Sequence, residues 1–168
     1  MERLTDDVRK KRYGQYFSGK NVANTLVSLL PESATIKNAI DPMVGSGDML
    51  VAVSGKITST QKICGVDIDG QAIAACRKKV PKAELFEGSA FITDEVLNGS
   101  GWDLVITNPP YVRYQLFNTN DKYGLPTGDE VRQNLKDMIL RASYVSEDER
   151  QLFLKVVENY SGLADLAV

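Results

Sequence analysis

A chain of 168 residues that is 43% hydrophobic can bury one packed core, and single cores commonly run to ~100–200 residues, so one layered domain is expected. The net charge of −2 weighs against a free-standing nucleic-acid clamp, because duplex affinity comes largely from lysines and arginines that neutralise phosphates. With no histidine in the chain, Ser-His and Cys-His nucleophile pairs are excluded, as is any metal site built on imidazole.

Residues 1–12 are charged and aperiodic and read as a leader, in which Arg9-Lys10-Lys11-Arg12 is either a solvated run or a phosphate contact. Nothing in the first residues resembles the apolar core of a secretory signal, and no stretch approaches the ~20 apolar residues of a membrane span. A cytoplasmic protein with no membrane partner is therefore expected. From Ser18, the residues Val22, Ala23, Leu26, Val27, Leu29 and Leu30 recur at helical spacing until Pro31 stops them. Ala39-Ile40 then enters a glycine turn, a helical pattern restarts over 49–53, and residues 61–68 form a short apolar strand that closes on Asp67. That succession is a β-α-β unit.

Asp69 is placed to cap a helix over 71–79, which Pro81 ends. A short strand is predicted over 83–87 and a clear buried strand over 102–107. The two cysteines, Cys64 and Cys76, fall in a strand and the following helix without metal-ligand spacing, and read as buried free thiols. Beyond Pro110 come a polar loop with Gly124, Pro126 and Gly128, helices over about 129–142 and 146–160, and a last apolar segment over 162–168. Strands alternating with helices imply an α/β fold, a doubly wound, mostly parallel sheet covered on both faces.

Such a sheet binds ligands outside the carboxyl ends of its strands, and the informative residues sit there. In Asp41-Pro42-Met43-Val44-Gly45-Ser46-Gly47 the glycines let backbone approach a ligand, while the helix that follows favours a negative group at its N-terminus. Alone, such a turn is a weak signal, since a plain connector is the alternative. Asp67 stands about twenty residues later, where an acid can accept both hydroxyls of a ribose; the helix-capping role suits Asp69 better. Asn108-Pro109-Pro110-Tyr111 directly follows the predicted strand. Two prolines remove two donors and leave carbonyls and the Asn108 side chain as acceptors, which suits a planar amine, and Tyr111 can stack on the ring that bears it. A rigid turn with a core tyrosine is the alternative for that tetrapeptide in isolation.

Taken together, these motifs resemble those of the S-adenosylmethionine-dependent DNA methyltransferases that modify adenine N6. Tyr13-Gly-Gln-Tyr16-Phe17-Ser18 looks like their N-terminal cofactor motif, Asp41 to Gly47 their glycine motif, Gly65-Val-Asp67-Ile68-Asp69 their ribose motif, and Asn108 to Tyr111 their catalytic motif. The motif order is similar to that of type I and many type II modification enzymes, in which target recognition lies C-terminal to catalysis. The resemblance implies a Rossmann-like class I fold over 13–168, with the sheet incomplete on its C-terminal side and the target-recognition domain absent.

It also implies roles. Tyr16, Phe17 and Ser18 would contact the cofactor, Asp41, Pro42, Gly45, Ser46 and Gly47 would flank its methionine end, Asp67 would hold the ribose, and Ile68 would pack on the adenine. Ser89, followed by Ala90, stands where the family usually carries an aspartate that accepts from the adenine amine, and a serine accepts more weakly. Asn108 and the Pro109 carbonyl would accept the hydrogens of a target adenine flipped out of double-stranded DNA, with no metal required. Further C-terminal sequence or another subunit is the expected partner for recognition. Two other readings share these motifs: a protein methyltransferase acting on a release-factor glutamine, or similarly on RNA amines, and a non-catalytic module that binds cofactor or a partner without turnover.

Overall fold

Short apolar runs broken by glycine and proline permit only short elements. The structure of the chain, a computed structural model, describes residues 19–57, 60–91, 101–109 and 127–159. The chain divides into two compact units, one of them Gln15–Pro109. In that unit the order is α1 (Gly19–Ser28), β1 (Asn38–Asp41), α2 (Asp48–Lys56), β2 (Lys62–Asp67), α3 (Gly70–Lys79), β3 (Glu84–Glu87) and β4 (Leu104–Val105). The other unit carries α4 (Gly128–Arg141) and α5 (Glu147–Asn159) among its described residues.

The four strands pair in parallel in the order β3-β2-β1-β4. The chain steps outward from β1 through α2 to β2 and through α3 to β3, then returns to the far side of β1. This is the order of a doubly wound sheet, and the reversal of direction falls between β1 and β4.

Paired residues of parallel neighbours point to the same face, so Ala39, Ile63 and Leu104 share one face, with Leu85 beside Gly65 on it. Helices α1 and α2 pack there: Ala23, Val27, Met49 and Val53 cluster with Ala39 and Ile106. Helix α3 continues the layer, with Ile73, Cys76 and Val80 packed against Leu50, Ile63 and Leu85. Each large apolar side chain buried in this way contributes roughly 1.5–3 kcal/mol. Cys64 and Cys76 are buried free thiols, and burial pushes both up to about 11, so they stay protonated and unreactive.

The opposite face departs from a sheet evenly covered on both sides. Ile40, Cys64 and Val66 are fully buried at its centre, whereas Phe86 on β3 is 37% exposed and Val105 on β4 is 59% exposed. The expected buried strand over 102–107 thus shrinks to Leu104–Val105, with only Ile106 among its apolar residues buried. At one end Asp103 Oδ2 accepts the backbone N–H of Lys37 and of Asn38, each at 2.8 Å, while its own N–H donates to the Asn38 carbonyl at 2.9 Å.

In the second unit both helix starts are reciprocal capping boxes. Thr127 N–H donates to Glu130 Oε2 at 2.6 Å while Glu130 N–H donates to Thr127 Oγ1 at 3.2 Å, which begins α4 at Gly128 rather than at the expected Asp129. Ser146 and Glu149 repeat the arrangement at α5. From α5 the Arg150 guanidinium reaches back over the end of α4, donating to the carbonyls of Ile139, of Leu140 at 3.1 Å, of Ala142 at 2.8 Å and of Val145 at 3.3 Å. These are carbonyls that a helix end and its loop leave without intrahelical partners.

Arg150→Ala strips that clamp and is expected to cost about 1.5–3 kcal/mol, the range for hydrogen bonds to a charged group. Thermal unfolding followed by far-UV circular dichroism checks it, with Arg150→Lys recovering only part of the loss, because a single ammonium cannot span four carbonyls.

Candidate active site

The carboxyl edge of the sheet is laced together across strand boundaries. Asp41 closes β1 with its side chain fully buried, and its Oδ1 accepts the N–H of Met43 at 3.1 Å, which starts the bend. Pro42 follows with its φ preset. Gly45 at φ 51° and Gly47 at φ 88° then occupy the left-handed region, where side chains are strained. Gly47 is required a second time by packing: a Cβ there would lie 2.5 Å from Sγ of Cys76 on α3. It is also the N-cap of α2 and supplies no side-chain cap, so the first amides of α2 keep their donor capacity for a ligand.

Bonds to β2 hold the turn in place. Val44 N–H donates to the Val66 carbonyl at 2.8 Å, and Gly45 N–H donates to Asp67 Oδ2 at 2.7 Å. The other oxygen, Asp67 Oδ1, accepts Asp69 N–H at 2.8 Å, and the Asp67 carbonyl accepts Gly88 N–H at 2.9 Å. A carboxylate has about four acceptor positions, so Asp67 retains capacity for ligand hydroxyls. Asp69 takes the expected capping role, accepting Gln71 N–H at 2.9 Å. Next to Asp67, Ile68 leaves 39% of its surface exposed, an apolar patch at the edge of the site.

Ser89 and Ala90 follow β3 at the same edge, both half-buried, and Ser89 Oγ accepts Phe91 N–H at 3.3 Å. Asn108 and Pro109 follow β4, also half-buried, and Ile106 N–H donates to Ile40 O at 3.0 Å, which places them beyond the end of β1. The edge thus carries the glycine turn, Asp67, Ser89 and Asn108, and it does so at the β1/β4 reversal. Tyr16, Phe17, Ser18, Pro110 and Tyr111 lie outside the described residues.

Two residues of this region carried no sequence signal. Thr107 precedes Asn108, and its buried hydroxyl lies beside Asp41 and favours the charged form without closing a hydrogen bond of standard geometry. Lys79, on the last turn of α3, reaches Ser46 and Asp48. Neither contact follows from local spacing.

The electrostatics are those of an acidic floor. Burial pushes the Asp41 carboxyl up to about 7, opposed by the Met43 N–H and Thr107 and assisted by the charge of Asp67. Burial also raises Asp67, opposed by the N–H groups of Asp69 and Gly45. Charging both acids is costly, and a cationic ligand over them would relieve that cost. Among the described residues no cluster of acids and cysteines is placed to hold a metal ion, and no helix is long and apolar enough to cross a membrane. Free amides at a helix start can take a carboxylate, Asp67 can accept hydroxyls, Ile68 can cover an aromatic ring, and Asn108 with the Pro109 carbonyl can accept from an amine. That set suits a ligand that joins an amino acid to a nucleoside, next to a second group bearing an amine.

Residues 3–126 match the family model described as N-6 DNA methylase. The chain is 26% identical over 141 residues to the ribosomal protein uL3 glutamine methyltransferase of Francisella tularensis, covering 78% of this chain and 45% of that protein. It is 24% identical over 110 residues to the rRNA N(6)-adenosine-methyltransferase metl-5 of Caenorhabditis elegans, covering 61% of this chain and 51% of that protein. The chain therefore spans about half the length of these relatives. Among solved structures, TrmN from Thermus thermophilus shares the fold, with a TM-score of 0.51 at 14% identity over 82% of this chain and 40% of that one.

Gly47→Ala is expected to destabilise the chain by about 1–3 kcal/mol through backbone strain and contact with Cys76, read as a lowered denaturation midpoint; Ala at the unconstrained Gly55 serves as the control. A pH series tests Asp41. Its folded value of about 7 lies above the ordinary 3.8, so the folded state binds the extra proton. The contribution of Asp41 to stability is then fully present below pH 3.8 and is lost as pH rises through about 7. Asp41→Asn is expected to flatten the dependence of Tm on pH across that window.

Proposed function

The chain belongs to the N-6 DNA methylase family, and from that premise we propose that the protein transfers a methyl group from S-adenosylmethionine to the N6 amine of a flipped-out adenine in DNA, as the modification component of a restriction-modification or related defence system. The observation that carries this reading is the meeting of the glycine turn, Asp67 and Asn108 at the β1/β4 reversal of a parallel sheet. A cofactor half, built by β1 to β3, there adjoins an amine-accepting half that starts after β4.

The residues fit the cofactor. Gly45 and Gly47 hold the left-handed turn that lets the chain pass close to its methionine end, and the uncapped amides of α2 favour the carboxylate of that end. Asp67 has acceptor capacity for the ribose, Ile68 offers apolar surface to the adenine, and the raised acids Asp41 and Asp67 favour a positive centre nearby. When bound, S-adenosylmethionine supplies an electrophilic methyl group on a positively charged sulfur.

The chain's own part is alignment. The Asn108 side-chain oxygen and the Pro109 carbonyl accept the two amine hydrogens of the target, leaving the nitrogen lone pair free toward the cofactor side. By the resemblance to the family, Tyr111 would stack on the extruded base, which has left the duplex because its amine cannot reach the cofactor inside the helix. Ser89 stands in for a more acidic partner of the cofactor's adenine, so adenine recognition leans on Ile68 and the backbone of 89–90. The basic run at Arg9 to Arg12 is either a solvated leader or a phosphate contact, and sequence recognition is expected of further C-terminal sequence or another subunit.

A second reading has support of its own. The uL3 glutamine methyltransferase and the rRNA adenosine methyltransferase are both relatives, and a glutamine amide or an RNA adenine presents the same planar amine. Transfer of labelled methyl groups to unmethylated duplex DNA, to rRNA and to ribosomal protein or release factor separates these substrates. Label in DNA, reduced on the order of 10²-fold or more in Asn108→Ala with cofactor binding retained, is the expected result. Label confined to protein or RNA would overturn the DNA assignment.

A further inference from the structure

Asp48 is the first residue of α2, at the uncapped helix start that faces the methionine end of the cofactor in the proposed function. A bare carboxylate at that place repels the ligand's own carboxylate. Lys79, from the last turn of α3, closes the conflict: its Nζ lies 2.7 Å from Asp48 Oδ1 and 3.1 Å from Ser46 Oγ. One ammonium, with three donors, therefore neutralises Asp48 and ties down the residue between the two left-handed glycines. Three residues earlier on the same helix, Cys76 packs against Gly47. Helix α3 thus backs the turn twice, once by packing and once by charge. The side chains of Lys79 and Asp48 are 41% and 23% exposed, a setting in which an ion pair adds little to folding stability. Its effect falls instead on the conformation and charge of the turn.

We propose that Lys79 is a positioning residue for the amino-acid end of the cofactor, a role that rests on the methyl-transfer reading above. It acts through Ser46 and Asp48 and touches neither the nucleoside nor the reacting atoms. Removing it lowers affinity for ligands that carry the amino-acid carboxylate and leaves ligands without it nearly unaffected.

Calorimetric titration of the full chain with two probes tests this: S-adenosylhomocysteine, which has the amino-acid end, and methylthioadenosine, which has the same nucleoside and sulfur without it. Lys79→Ala is expected to weaken the first about fivefold and the second less than about twofold. Lys79→Arg retains most of the affinity, and Asp48→Asn added to Lys79→Ala restores part of it. Should alanine unfold the chain, Lys79→Gln, uncharged but of similar reach, reads the same selectivity. Unchanged affinity for both probes, or an equal loss for both, overturns the assignment of Lys79 while the cofactor reading stands. Binding of neither probe by the parent chain overturns the two together.

Discussion

Asp67 accepts hydrogen bonds in two directions at once, from Gly45 in the turn after β1 and from Asp69 at the head of α3, and the carboxyl edge is organised around that carboxylate. The bond to Gly45 crosses from one strand's loop to its neighbour and holds a turn whose two glycines would otherwise be free to sample many conformations. The bond to Asp69 positions the cap of α3. Through its carbonyl, Asp67 also anchors Gly88 and with it the segment after β3. Removing its side chain would therefore loosen two connections, to Gly45 and to Asp69, and leave the backbone bond to Gly88 in place. Because these bonds are partly buried, each unmade partner would carry a desolvation penalty of about 1–3 kcal/mol.

This bracing comes at the expense of charge. Two acids, Asp41 and Asp67, sit at the ends of adjacent strands, and burial raises the proton affinity of both. A sheet edge selected only for stability would not bury them side by side. In the proposed reading, the uncapped amides at the start of α2 would favour a ligand carboxylate and the two acids a positive centre. Such unfavourable placement in the free protein is what a ligand of matching charge distribution relieves.

The two halves of the site are built to different standards. β1, β2 and β3 are tied by continuous registers and a covered face, so the residues that would hold the cofactor rest on rigid supports. β4 contributes two paired residues and an exposed Val105, yet it is the strand that presents Asn108 and Pro109. Asp103 compensates by anchoring the start of β4 to Lys37 and Asn38, and Ile106 anchors its end to Ile40. Asn108 and Pro109, the pair proposed to accept the amine, thus depend on ties at either end of a minimal strand.

Much of this was legible in the residues. The succession of strands and helices along the chain, the glycine turn in Asp41 to Gly47, and the split in which Asp69 caps while Asp67 stays available all follow from local rules of periodicity, turn chemistry and capping, which act over a few residues. The capping box at Thr127 and Glu130 belongs to the same class and was readable, though the loop composition around Gly128 obscured it. Strand order, the bond from Gly45 to Asp67 across 22 residues, the reach of Lys79 to Ser46 across 33 and the exposure of Val105 were decided by the tertiary structure alone. Such contacts depend on which elements become neighbours, and pairing between distant segments is set by the packing of the whole sheet and not by any pattern within one segment.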